Sequence, residues 1–101
     1  MKINIQLVGV GHDLRNDHKD VEDLVLQLER GLIMEWPFDF IPRIGEYITL
    51  SKLFWFDDNY DFKKLDGDIF DVTDVEYGAF TDYKNQNTHT PIVTIYVEIK
   101  N

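Results

Sequence analysis

The sequence contains no cysteine, so it can form neither a disulfide nor a thiolate metal site. Basic residues are also scarce: ten Lys and Arg stand against nineteen Asp and Glu, a formal net charge of −9 at pH 7. Because proteins bind nucleic-acid phosphates mainly through Lys and Arg, this charge argues against direct nucleic-acid binding. No apolar run approaches the length of about 18 residues that a membrane-spanning helix needs. We therefore expect a cytoplasmic protein that binds neither nucleic acid nor membrane.

Apolar and aromatic residues are plentiful by contrast. Hydrophobic residues make up 44% of the 101 residues, including two Trp, five Tyr and seven Phe. A chain this apolar is not disordered, and its length suits a single domain over residues 1–101. Such a domain buries roughly 60–70% of the surface of its unfolded chain, which is enough to fold without help. We expect no cofactor and no structural metal.

Hydrophobic periodicity predicts a strand followed by a helix in the N-terminal third. Residues 2–10 alternate polar and apolar, which is typical of a half-buried strand and unlike the continuous apolar run of a secretory signal. Residues 18–30 place apolar side chains at helical spacing and end at Gly31, which indicates a helix. The same region also fits a period of two through residue 36, so a strand or hairpin turning near Gly31 is the alternative.

The remaining two thirds of the chain indicate β-structure. Pro37 and Pro42 bracket a short aromatic piece, which we expect at a sheet edge or in a crossing loop. A second strand is expected from Ile44, with Ile44, Ile48 and Leu50 on one face, continuing as far as Phe56. Residues 69–77 keep Phe70 and Val72 in phase and then shift phase at residues 73–74, which predicts a β-bulge. Residues 92–100 alternate cleanly as a closing strand, and residues 80–83 are expected to pair with it.

Short strands, a bulge and one helix in a small chain favour a mainly β fold, or α+β if the helix forms. We expect a strongly bent antiparallel sheet that rolls into an SH3-like or partly open barrel, because closure removes most exposed sheet edges.

A family resemblance supports the barrel. Residues 41–48, with the sequence IPRIGEYI, residues 67–75, with GDIFDVTDV, and the β-branched terminal strand form the pattern. In this order they resemble small uncharacterised bacterial and phage-associated SH3-like barrel proteins, in which a Pro-x-x-Gly-acidic step opens one strand. The resemblance covers roughly the last 60 residues and implies a barrel but no activity.

Two stretches resemble metal sites but depart from the patterns that such sites need. Residues 57–68 place oxygen ligands at the first, third, fifth and twelfth positions of a calcium loop, yet Phe62 occupies the position that needs Gly. Lys63 and Lys64 add positive charge beside the ion. His12 and His18 lie among aspartates, but they lack the His-x-x-x-His step of a helical zinc site, and the third imidazole is His89. We interpret both stretches as ordinary polar loops.

Catalytic motifs are missing from the sequence. Its one serine, Ser51, lies outside any Gly-x-Ser-x-Gly elbow, and the Gly9-Val10-Gly11 step lacks the third glycine of a dinucleotide-binding loop. We therefore expect a protein that is not an enzyme.

The aromatic residues carry the functional hypothesis. Most of them are expected in the core, but Trp55 and Phe56 are adjacent and would point to opposite faces of a strand. Aromatic side chains ringed by acidic ones are typical of protein contacts. The residues expected to form such a contact are Trp55, Asp57, Asp58, Tyr60 and Phe62.

We expect a non-enzymatic protein-interaction domain. One form of it is an acidic inhibitor or immunity-type protein that holds a basic partner. The alternative is a structural or phage-type assembly component that associates with itself.

Overall fold

The computed structural model describes residues 2–8, 22–53, 69–81 and 89–100. These residues form five strands and one helix, in the order β1 (Lys2–Leu7), α1 (Glu22–Arg30), β2 (Leu32–Glu35), β3 (Tyr47–Ile48), β4 (Ile69–Thr81) and β5 (His89–Lys100). The strands make one sheet in the order β2-β1-β5-β4-β3, which curls into a half-barrel. The prediction of a mainly β, strongly bent, partly open barrel is confirmed.

The sheet is mixed, whereas the sequence led us to expect an antiparallel one. β1 runs parallel to β5, with Ile3 beside Val93 and Leu7 beside Val97, while the other three strand pairs are antiparallel. Parallel neighbours need a long connection, and β1 and β5 lie near opposite ends of the sequence. Alternation shows which residues face inward but not the direction of the neighbouring strand, so the pattern could not reveal this pair.

The region for which the sequence allowed either a helix or a strand contains a helix followed by a strand. α1 extends from Glu22 to Arg30, which confirms the predicted helix; residues 18–21 lie outside the described residues. Val25 and Leu28 of the helix are buried in the core. Gly31 then takes a φ of +104°, a conformation that ends helices and favours glycine, and β2 begins at Leu32.

The core lies on the concave face of the sheet, under α1. Its members are apolar residues from all the described strands and from α1, together with Trp36, Leu50 and Leu53. They are Ile3, Ile5, Leu7, Val25, Leu28, Leu32, Met34, Trp36, Ile48, Leu50, Leu53, Phe70, Val72, Ile95 and Val97.

The predicted bulge in β4 is confirmed. The register of β4 against β5 shifts between Val72 and Asp74, and the inserted Thr73 donates from its hydroxyl to the Tyr96 carbonyl over 3.3 Å. Since side chains alternate between the two faces, the extra residue turns Asp74 to the outer face and Val75 toward the core. β5 pairs with β4 up to Thr81, so the predicted hairpin pairing is confirmed for residues 80 and 81. Residues 82 and 83 lie outside the described residues.

The long strand expected from Ile44 to Phe56 is wrong within the described residues. β3 covers only Tyr47 and Ile48, and a 3₁₀ turn follows at Leu50–Lys52. Residues 50 and 53 are both buried, because the tight turn brings side chains three residues apart to the same side. Ile44 precedes β3 in a turn and is 65% exposed, so it does not share the inward face of Ile48.

Candidate functional site

An apolar groove of about 290 Å³ runs beside β3, one of the two edge strands of the described sheet. One wall is the crossing segment, residues 36–42, which contains no strand and so confirms the expectation for the Pro37–Pro42 piece. This wall contributes Trp36, Phe38, Phe40 and Pro42. The other wall contributes residues 46–49, Lys52 and Leu53. We call this feature the aromatic groove.

The crossing segment presents its aromatic side chains as one stack. Trp36 is buried, and its ring meets Phe38 edge-on at 5.2 Å between centroids. Phe38 lies 5.7 Å from Phe40 with the rings tilted by 33°. Trp36 Nε1 donates to the Phe40 carbonyl over 2.7 Å, which bends the segment back on itself. One end of this aromatic cluster, Trp36, is therefore buried in the core, and the other end, Phe40, is 66% exposed.

A tight turn positions β3 against β4. Gly45, with a φ of +94°, donates from its N–H to the Val72 carbonyl at 3.0 Å, and the Val72 N–H donates to the Glu46 carbonyl at 2.8 Å. The Glu46 carboxylate accepts from the Arg43 backbone N–H at 2.5 Å and lies 3.7 Å from its guanidinium. The ion pair is exposed and so adds little stability, but the turn orients β3 along β4.

Tyr47 connects the groove to an acidic surface on the convex face of the sheet. Its side chain is 64% exposed, and its register partner on β4 is Asp71. Asp71 is in turn opposite Glu98 of β5. Directly opposed side chains in a sheet lie about 5 Å apart, so the row across β3, β4 and β5 reads aromatic, acidic, acidic.

The next rows of the same face are also acidic. Asp74 pairs with Tyr96, and Glu76 pairs with Thr94. Among the described side chains of β4 and β5, every charged one is acidic. We call this surface the acidic face, formed by Asp71, Asp74, Glu76 and Glu98 around Tyr96.

The acidic face changes the chemistry of its central tyrosine. Partial burial raises the pKa of the Tyr96 phenol above its ordinary value of 10.0, and the negative charges of Glu76 and Asp74 raise it further. Glu76 also makes a side-chain hydrogen bond with the phenol, which favours the protonated form. The phenol therefore stays neutral, with its O–H donated to the Glu76 carboxylate.

The contact residues predicted from the sequence, Trp55, Asp57, Asp58, Tyr60 and Phe62, lie outside the described residues, and so does the calcium-like loop at 57–68. His12 and His18 lie outside them too. Within the described residues, no group of three metal-binding side chains is found. Ser51 lies in the 3₁₀ turn, where it is buried.

Sequence reasoning missed the aromatic groove itself. Its signal is the spacing of Trp36, Phe38 and Phe40, two residues apart between two prolines. Three aromatic residues at this spacing can form one cluster, and the prolines exclude the central strand that would bury Phe38 and Phe40 as well as Trp36.

The fold and its site define a mainly β half-barrel with an edge groove and an acidic face. Compared with known proteins, the chain matches no family model, no curated protein and no solved structure. None of the helices in the described part of the chain combines the length and apolar character that a membrane crossing requires.

Proposed function

We propose that the chain is a non-enzymatic protein-interaction domain that binds a basic protein partner through the aromatic groove and the adjoining acidic face. The observation that carries the proposal is the continuity of the two surfaces at Tyr47, which lines the groove and pairs with Asp71. An inhibitor or immunity-type protein acting in the cytoplasm is the specific form that we favour.

Exposed aromatic side chains support a binding role for the groove. Phe38, Phe40 and Tyr47 are all exposed, although burial of such large apolar side chains is favourable. Contiguous apolar surface of this kind marks contact sites, and aromatic anchors account for much of the binding energy at protein interfaces.

The acidic face supports a basic partner. Asp71 and Glu98 lie directly opposite each other, an arrangement that costs the free domain stability. A cationic side chain placed over them would remove that repulsion on binding. Opposite charges also speed association and discriminate against acidic partners, including nucleic acids.

The test is affinity capture from a lysate of the source cell with three tagged proteins: the wild type, Phe40→Ala and Ile44→Ala. Phe40 and Ile44 are 66% and 65% exposed, but only Phe40 lines the groove. We expect a basic protein to be captured by the wild type and Ile44→Ala and lost with Phe40→Ala. Raising the salt from about 0.1 M to about 1 M should release it, because the screening length falls from about 10 Å to about 3 Å. Capture of no basic protein, or equal capture by Phe40→Ala, would refute the proposal.

Self-association is the second candidate, and a different surface favours it. An apolar hollow of about 410 Å³ lies toward the β4–β5 hairpin end, lined by Tyr77, Pro91 and Ile92 among others. Tyr77 is 74% exposed. If the chain is an assembly component, light scattering should show salt-resistant oligomers that Tyr77→Ala dissociates and Phe40→Ala does not. A monomer at all concentrations would exclude this candidate.

A further inference from the structure

The aromatic groove follows the edge of β3 and not one of its faces. Residues 46, 47, 48 and 49 all line it, although successive side chains of a strand point to opposite faces. A groove that meets both sets of side chains lies alongside the backbone between them. β3 is the last strand of the sheet that the described residues form, so the groove occupies the position of the next strand.

The backbone of Tyr47 points into this position. Val72 exchanges hydrogen bonds with residues 45 and 46, and the next bonded residue along β4 is Phe70, which pairs with Ile48. In an antiparallel ladder alternate residues bond to the same neighbour, so the N–H and C=O of Tyr47 face away from β4. Among the described residues, neither group makes a backbone hydrogen bond outside the ladder.

The side chains around this edge define what an added strand would carry. A residue opposite Tyr47 would extend the row of Tyr47, Asp71 and Glu98 on the convex face. This added residue would lie two strand spacings, roughly 10 Å, from Asp71. A Lys or Arg side chain can span that distance across the Tyr47 ring, with which it would make a favourable cation–π contact. Its two neighbours would point to the concave side, where Trp36 and Leu53 lie in the core.

We propose that the aromatic groove receives an extended segment of the partner protein, which adds to β3 as a sixth strand and carries the pattern apolar-basic-apolar. The basic residue lies over Tyr47 toward Asp71, and the apolar residues pack against Phe38 and Phe40. The inference rests on the proposed function and specifies the partner's chemistry at that same site. A second copy of this chain fits the edge poorly, because each copy has a formal charge of −9 and would bring its own acidic face alongside.

The test is selection of binders from a library of random dodecapeptides displayed on phage, followed by synthesis of the enriched peptides. We expect enrichment of alternating apolar and basic residues. N-methylation of one backbone amide should weaken binding about tenfold, because it removes a hydrogen bond to Tyr47 and blocks the strand edge. Phe40→Ala and Asp71→Asn should each weaken binding about tenfold, while the controls Ile44→Ala and Asp23→Asn should not. The Tyr47 amide should gain protection from hydrogen exchange.

Three results would overturn the inference. They are no enrichment, enrichment of acidic or helical peptides, and enriched peptides whose affinity does not change when any one of their backbone amides is N-methylated. The last result, together with loss of binding in Phe40→Ala, would leave the aromatic groove as a protein-binding surface and reject only strand addition. The proposed function itself is tested separately, by the capture experiment on whole proteins.

Discussion

The indole of Trp36 donates a hydrogen bond to the backbone carbonyl of Phe40, and this bond does not involve the Phe40 side chain. One residue thus holds the crossing segment in place, and the other displays an aromatic ring. The two roles can be separated by substitution, because the ring can be removed while the bond remains.

Trp36→Phe should therefore lower the free energy of unfolding by about 1–3 kcal/mol, through loss of the hydrogen bond and of buried ring area. Phe40→Ala should change it by no more than about 0.5 kcal/mol, since the ring is mostly exposed. Urea unfolding followed by circular dichroism measures both. Equal losses in the two variants would mean that the Phe40 ring stabilises the fold as well.

Gly31→Ala should destabilise the protein more than Gly45→Ala. Both glycines have positive φ, which costs a residue with a side chain about 1–2 kcal/mol. A Cβ at Gly31 would also lie 2.8 Å from Asn4 Oδ1, whereas one at Gly45 meets nothing within 4 Å. Asn4→Ala in the Gly31→Ala background should recover the difference in a double-mutant cycle measured by urea unfolding. Similar losses at the two glycines, without recovery, would contradict the close contact with Asn4.

Ser51→Ala should raise the free energy of unfolding by about 1 kcal/mol. The Ser51 Oγ is buried and finds no hydrogen-bond partner in the described part of the chain, and an unpaired buried hydroxyl costs about 1–3 kcal/mol. Ser51→Ala removes the hydroxyl and with it the cost of burying an unpaired polar group. Thermal unfolding would show the gain as a higher Tm. A lower Tm would mean that the hydroxyl is paired in solution.

Asp71→Asn should stabilise the free domain by about 0.2–1 kcal/mol, because it removes the repulsion from Glu98 across the β4–β5 pair. The gain should shrink in high salt, which screens that repulsion. Asp23→Asn is the control: this exposed carboxylate lies near the start of α1, where negative charge favours the helix, so its loss should not stabilise. Stabilisation of equal size at both positions would point to net charge and not to the pair.

Stability should fall in alkaline solution as Tyr96 titrates. Its folded pKa is raised, so the stabilisation is fully present below the ordinary pKa of 10.0. Above that pH the unfolded chain releases the proton first, and the stabilisation is lost as the pH rises through the raised folded pKa. Urea unfolding across this range should show a shallower loss for Tyr96→Phe.

Glu76→Gln should bring the Tyr96 pKa back toward its ordinary value, because it removes one of the negative charges that raise it. The chain has five tyrosines, so the Tyr96 pKa is measured as the difference in tyrosinate absorbance between each protein and the same protein carrying Tyr96→Phe. An unchanged titration in Glu76→Gln would show that burial and Asp74 raise the pKa without Glu76.

The sequence predicted those features that local pattern determines. The helix was predicted from helical spacing that ends at Gly31. The bulge at Thr73 was predicted from a shift of hydrophobic phase, because an inserted residue changes which side chains face the core. The parallel pairing of β1 with β5 was not visible, since it depends on contacts between distant parts of the chain.

The candidate site was only half visible for a similar reason. An excess of carboxylates indicated an acidic surface, but only the register places Asp71 beside both Tyr47 and Glu98. The long strand predicted from Ile44 to Phe56 failed within the described residues, because Gly45 and the 3₁₀ turn interrupt an otherwise regular alternation. The contact predicted around Trp55 stays a prediction.

The place of β5 between β1 and β4 makes the order of synthesis matter. β1 leaves the ribosome before its parallel neighbour β5, which is the last strand of the described sheet to be made. Until β5 is made, β1 can pair only with β2 and β4 only with β3, so each has one unpaired edge. Unpaired strand edges are prone to aggregate. Folding of the sheet is therefore completed from its centre by the final strand, and a chain that stalls before β5 should be a substrate for chaperones or proteases.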